Sequence, residues 1–131
     1  SWAYSGAAAP EAGLWAGGGG RAYGHRWARG AAVGAAADLA TGVISFSLHG
    51  SWQPPMGPAV TASFSGGLTP ALTLFKCTLL VNFGSAPFRH QVPDGHLPVQ
   101  LWLDSHLPEG LAGPPPACTA HDRPGVDKRT S

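Results

Sequence analysis

The sequence predicts a mostly β protein of antiparallel strands, and three observations carry that expectation. Ile44, Phe46 and Leu48 alternate with Ser45, Ser47 and His49. That is the period-two pattern of a strand with its apolar face on a core. A second alternating stretch runs from Pro70 to Leu74 and resumes from Cys77 to Phe83. Gly 19 and Pro 13 among 131 residues favour turns over helices.

In chain order, Ser1–Gly6 reads as a short strand ending in a turn, with Trp2 and Tyr4 on one face. Ala7–Gly20 is Ala/Gly-rich and reads as a mobile loop around Leu14-Trp15. Gly17–Ala22 fits the loosest dinucleotide fingerprint, with Asp38 downstream, but that motif needs a strand before it and a helix after it. No helical apolar spacing follows in Tyr23-Gly24-His25-Arg26-Trp27. Trp27 reads as a core or rim packing residue on size alone. Ala31–Ala37 poses a conflict, because alanine favours helix while Gly30 and Gly34 interrupt it and no amphipathic face exists. Ala40-Thr41-Gly42 is turn chemistry, and the Asp38 carboxylate can accept backbone N–H bonds there. The unit therefore reads as a hairpin whose second arm is 43–49. Ser51–Gly67, with Pro54-Pro55 and Pro58, reads as a long irregular connection. Trp52 is expected to be partly exposed and Phe64 to tuck back toward the core. Phe75-Lys76 reads as the turn between the two later alternating runs. Cys77, within an apolar run, reads as a reduced core residue; Cys118 lies in the proline-rich end. Phe88 and Trp102 are expected to pack on the sheet edge. Asp104–Ser131, with Gly113-Pro114-Pro115-Pro116, reads as a flexible tail.

Composition excludes several function classes. Charge is 11%, against the usual quarter or so. The formal net charge of +1 gives no electrostatic footprint for nucleic acid or an anionic membrane, and the positive residues form no stripe, the nearest thing being Lys128-Arg129 at the very end. No apolar run is long enough to span a bilayer. Two cysteines do not make a disulfide framework, and the expected setting is a reducing, intracellular one, the cytoplasm. Between Ala31 and Gly84 the only charged residues are Asp38 and Lys76, and His49 is the only histidine. Paired carboxylates for acid/base work need two acids on the scaffold. The six histidines, His25, His49, His90, His96, His106 and His121, form no ligand pair with a recognisable metal spacing. No Gly-x-Ser-x-Gly elbow occurs, and Cys77 at an apolar strand start suits a buried thiol better than a nucleophile. The expectation is therefore no enzyme, no catalytic residue, no metal and no cofactor.

Four short motifs in order carry a resemblance. They are Tyr23-Gly24-His25-Arg26-Trp27-Ala28-Arg29-Gly30, Asp38–Gly50, Gly67–Leu74, and Val81-Asn82-Phe83-Gly84. Together the chain resembles SPRY domains, the core of B30.2 modules, over roughly Ser1–Phe88. Ala31, Ala40 and His49 depart from the family's residues at their positions. The resemblance implies an antiparallel β-sandwich of the concanavalin-like jelly-roll type, a strand at 31–37 pairing with 43–49, and further strands before Ser1 that this chain lacks. The expected organisation is a partial sandwich over 1–103 and a tail over 104–131.

The resemblance also implies protein recognition, with loops from one side of a rigid scaffold meeting a peptide or partner protein, as in substrate recruitment by ubiquitin ligases. Loops displayed on a scaffold commonly carry such function, and aromatic and Arg side chains supply most hot-spot energy. The candidate contact residues are Tyr23, His25 and Arg26 in one loop, Trp52 and Gln53 in another, and Phe75 and Lys76 at the last hairpin. Each also has an ordinary packing or solvent role open to it. No nucleic acid, membrane or small-molecule substrate is expected. The alternatives are a lectin-like sugar site built on Trp52, and a degenerate fragment without a role of its own.

Overall fold

A computed structural model describes residues 1–6 and 12–106. Six strands form two three-stranded antiparallel sheets, followed by one short helix. The first sheet contains β1 (Trp2–Ser5), β2 (Gly13–Ala16) and β3 (Gly19–Ala22), with β2 central. The second contains β4 (Val33–Asp38), β5 (Val43–Leu48) and β6 (Gly57–Thr61), with β5 central. The helix, α1, spans Val99–His106.

The β4–β5 hairpin forms as the alternation and the resemblance imply. Six residue pairs run from Val33↔Leu48 to Asp38↔Val43. Its turn is held by Asp38, whose Oδ1 accepts from Ala40 N at 2.9 Å and Thr41 N at 3.1 Å. Gly42 then turns at φ 73°, where a Cβ would collide with the Ala62 carbonyl oxygen. The alanine-rich arm is a strand because pairing with β5 overrides a weak intrinsic preference for helix. Gly34 lies opposite Ser47, and a Cβ there would stand 2.5 Å from Ser47 Oγ. The Trp52 ring lies 3.4 Å beyond that same point. Ser47 is consequently buried. The expectation of a strand covered on one face only is thereby corrected, since Trp52 covers the second.

The expected mobile loop at 7–20 is corrected over its described part. Gly13–Ala16 and Gly19–Ala22 form a hairpin, turning at Gly17 and Gly18 with φ 57° and 85°. Two successive positive φ values suit a tight two-residue hairpin, which glycine permits without strain. A strand rather than a helix follows these glycines, so the dinucleotide motif has no structural counterpart. Leu14, on the central strand, is the most deeply buried side chain at 2% exposure. Residues 7–11 lie outside the described residues.

The expected irregular run at 51–67 is also corrected, because it contains β6. Pro58 is accommodated because β6 is an edge strand. The register against β5 moves from Ile44↔Val60 to Ser45↔Pro58, leaving Ala59 unpaired as a bulge.

One core joins the sheets. Leu14, Tyr23, Met56 and Ala59 are buried together, with Tyr4, Phe46, Leu48 and Val60 packed around them. Tyr4 meets Tyr23 edge-on at 5.3 Å between ring centroids and lies 5.3 Å from Phe46. Trp2 meets Phe64 edge-on at 5.4 Å, so Phe64 does fold back, half-buried.

The second alternating stretch does not form strands. Nothing between Leu68 and Asn82 makes a backbone–backbone hydrogen bond among the described residues. Leu80 is 96% exposed and Phe75 80%. Cys77, expected in the core, is exposed. Alternation gives a segment the pattern of a strand, but ladder bonds need a neighbour, and an isolated hairpin is marginal in water. No described strand lies beside this one.

Residues 82–106 close on themselves instead. Asn82 Oδ1 accepts from Gly84 N at 2.9 Å, and Asn82 Nδ2 donates to Ala86 O at 2.9 Å. Helix α1 begins just after Pro98, a residue well suited to a helix start. Gln100 N donates to Phe83 O at 2.9 Å, docking the helix on that turn. Trp102 stacks on His106 at 4.4 Å within the helix, and Phe88 is exposed. The expected packing of these two on a sheet edge is thereby corrected. The helix also carries Asp104–His106, the first residues of the segment read as tail; residues 107–131 lie outside the described residues.

Candidate interaction site

Two loops meet at one end of the core. The first leaves β3 through Tyr23, Gly24, His25 and Arg26; the second enters β6 through Trp52, Gln53, Pro54, Pro55 and Met56. Met56 joins them. Its buried sulfur accepts the His25 N–H at 3.4 Å and lies 3.7 Å from the Tyr4 hydroxyl oxygen. The Tyr4 hydroxyl donates its proton in a short hydrogen bond to His25 O. The Tyr23 hydroxyl donates to Gly57 O at 2.5 Å. Tyr4 on β1 therefore ties together two loops that are distant in sequence. Burial pushes both phenols above their ordinary pKa, keeping them neutral hydrogen-bond donors.

Between the loops lies an open cleft of about 450 Å³. Arg21, Ala22, Tyr23 and Gly24 form one side, and Pro54, Pro55, Met56 and Pro58 the other. Arg21 pairs with Leu14, and Leu14 with Tyr4, so all three share the core side of the first sheet. From there Arg21 donates to Ala59 O at 2.5 Å. Ala59 is the bulged residue, whose carbonyl stands outside the regular β5–β6 register. The guanidinium thus bridges the two sheets at the cleft wall.

The candidate residues separate into four groups. His25, Arg26 and Gln53 are exposed on the two joined loops. Tyr23 is in the core, so its expected role as a surface contact is corrected: the ring packs inward with Tyr4 and Phe46. Trp52 is half-buried against β4 and its Nε1 donates to Gln91 O at 3.3 Å. That position makes it a brace for the second loop and leaves little free ring for stacking on a sugar. Phe75 and Lys76 lie apart on the unpaired segment, with Lys76 Nζ 5.2 Å from the Phe75 ring centroid. No described hydrogen bond or ring contact joins them to the other five. Sequence reasoning missed Arg21, Met56 and the three prolines of the cleft wall. The chain's single methionine, set between Pro54-Pro55 and Gly57-Pro58, was the available signal, since methionine readily fills irregular core gaps.

A second hollow, of about 410 Å³, lies between the Leu39–Gly42 turn and Ala62–Ser65. None of the candidate residues reaches it. Among the described residues, no group of three His, Cys, Asp or Glu side chains could hold a metal ion. No described helix is long and apolar enough to cross a membrane. No family model matches the chain, and neither a curated protein nor a solved structure matches it.

Proposed function

We propose that this chain is an interaction module of SPRY type, its two sheets forming part of a jelly-roll β-sandwich that presents loops to a peptide or partner protein. The observation that carries the reading is the joining of loops 23–26 and 52–56 through Tyr4 and Met56. Loops fixed to a shared core lose less conformational entropy on binding than free ones. They present His25, Arg26 and Gln53 beside a proline-walled cleft. The module binds rather than catalyses and acts without a cofactor. Its partner is a protein or peptide rather than nucleic acid, membrane or a small-molecule substrate. It works inside the cell, in the cytoplasm, as a recruiting part of a larger protein such as a ubiquitin ligase.

Selection of a random peptide display library on the folded chain tests this, with His25→Ala/Gln53→Ala as the counter-target. The expected result is an enriched pool that binds the double variant at least tenfold more weakly. No enrichment, or a pool that binds both proteins alike, overturns the assignment. The unpaired segment at 68–83 favours a second reading, a partial copy without a role of its own. Poor amide dispersion in the NMR spectrum of the whole chain would support that reading instead.

A further inference from the structure

The run at 77–83 has backbone bonding capacity that no described neighbour uses. It is bounded by bends at Phe75-Lys76 and at Phe83–Ala86, and between them the chain runs without bend or turn. From Cys77 to Asn82 no residue takes part in a backbone–backbone hydrogen bond among the described residues. Cys77, Leu79, Leu80, Val81 and Phe83 are all exposed along it. An extended segment with unused N–H and C=O groups is a template for a further strand, and its residue types say which strand fits.

Those types are symmetric about Leu80. Set antiparallel to a second copy of itself with Leu80 opposite Leu80, the run places Leu79 opposite Val81, Thr78 opposite Asn82 and Cys77 opposite Phe83. Apolar residues then meet apolar ones and polar residues meet polar ones on both faces, as favourable cross-strand pairs require. Sliding the partner by one residue sets Asn82 opposite Cys77 or Leu79, and sliding it by two sets Leu80 opposite Thr78 or Asn82. The pattern therefore selects one register. Lys76 is the only charged residue from Leu68 to Gly84, and in this register it falls opposite Gly84, so no like charges face each other. With Thr78, Leu80 and Asn82 in the hydrogen-bonded pairs, the Phe83 carbonyl also stays free for its bond from Gln100 N.

We infer that two copies of this chain associate through 77–83, paired antiparallel about a two-fold axis at Leu80. The same patch serves on both copies, as a two-fold axis requires. None of its residues lines the cleft beside the two joined loops, so the inference goes beyond the interaction-module reading and stands without it. The contact is small, and dissociation in the range of roughly 10–100 µM is expected. In dilute solution the chain is monomeric and Leu80 lies in water.

Sedimentation equilibrium of the full 131-residue chain, from about 5 to about 500 µM, tests the inference. The mass should rise from one copy to two across that range. A mass of one copy throughout overturns it, whether another segment of the chain covers the run or nothing does, and so does growth beyond two. Leu80→Lys should stay monomeric at the highest concentration, because two ammonium groups would face each other across the axis. Leu80→Asp should do the same, and an equimolar mixture of the two should associate again. Leu80 is almost wholly exposed, so the fold should tolerate both changes. Association of either variant alone, or no recovery in the mixture, overturns the pairing. In a Cys77→Ser/Cys118→Ser background, Leu80→Cys should cross-link two copies on mild oxidation, since opposed Cα atoms lie about 5.5 Å apart. Thr78→Cys should not, because its two copies stand four residues apart along the strand, roughly 13 Å. Equal cross-linking at both positions, or none at Leu80→Cys, overturns the register.

Discussion

Tyr4 is the residue on which the packing and the candidate site both depend, and its ring and hydroxyl are separable by mutation. Its ring lies against Tyr23 and Phe46, each at 5.3 Å. Its hydroxyl reaches His25 O and the Met56 sulfur. Tyr4→Phe keeps the ring and removes only the hydroxyl. The His25 carbonyl is near water and can rehydrate, so the expected cost is at the low end for a hydrogen bond, about 0.5–1 kcal/mol. Tyr4→Ala removes the ring as well. Truncating a core aromatic costs roughly 3–5 kcal/mol, and aromatic pairs add about 0.5–1.5 kcal/mol each. Because Tyr4 is half-buried rather than buried, about 3 kcal/mol is expected. Urea unfolding followed by tryptophan fluorescence reads both costs. Amide exchange at His25 and Met56 reads the pin between the loops and should speed up several-fold in Tyr4→Phe with little change in the sheets. If Tyr4→Ala costs no more than Tyr4→Phe, the shared core between the two sheets is refuted. If amide exchange in Tyr4→Phe is unchanged, the pin is refuted.

Three further outcomes follow from single positions. Hydrogen bonds from the Thr41 backbone and side chain, with a smaller one from Ala40, hold the Asp38 carboxyl below its ordinary value of 3.8. Its contribution to stability is therefore present above pH 3.8 and lost as the pH falls through the lower folded value. The stability gap between wild type and Asp38→Ala should shrink below that pH, and a gap that stays constant into strong acid would contradict the role given to the turn. Gly42→Ala forces a methyl into the Ala62 carbonyl at a positive φ, so roughly 2–4 kcal/mol should be lost; a neutral result in thermal unfolding would show that the hairpin end can shift freely. Leu80→Ser should change stability by less than about 0.5 kcal/mol because Leu80 is almost wholly exposed. A loss of about 2 kcal/mol in urea unfolding would mean that Leu80 is packed after all.

The hairpin at 33–48 was legible because its information is local. Asp38, Gly42 and the alternation of 43–48 specify turn, register and face within a dozen residues or so. The candidate site was legible only as loops. His25, Arg26 and Gln53 are exposed as their polarity suggests. Tyr23 could not be assigned to the core from its neighbours, because what buries it comes from β1, β5 and Met56.

Local chemistry was enough for the β4–β5 unit, since a turn and its two arms are contiguous and the partner strand is supplied by the same stretch of chain. The alternating run at 70–83 has an equally regular pattern and forms no strand. The glycine-rich run at 13–22 has almost no pattern and forms two. A strand exists only where a neighbour supplies the other half of its hydrogen bonds. Whether that neighbour is present is a property of the packed molecule, which supplies β1 for β2 and none for 70–83 among the described residues.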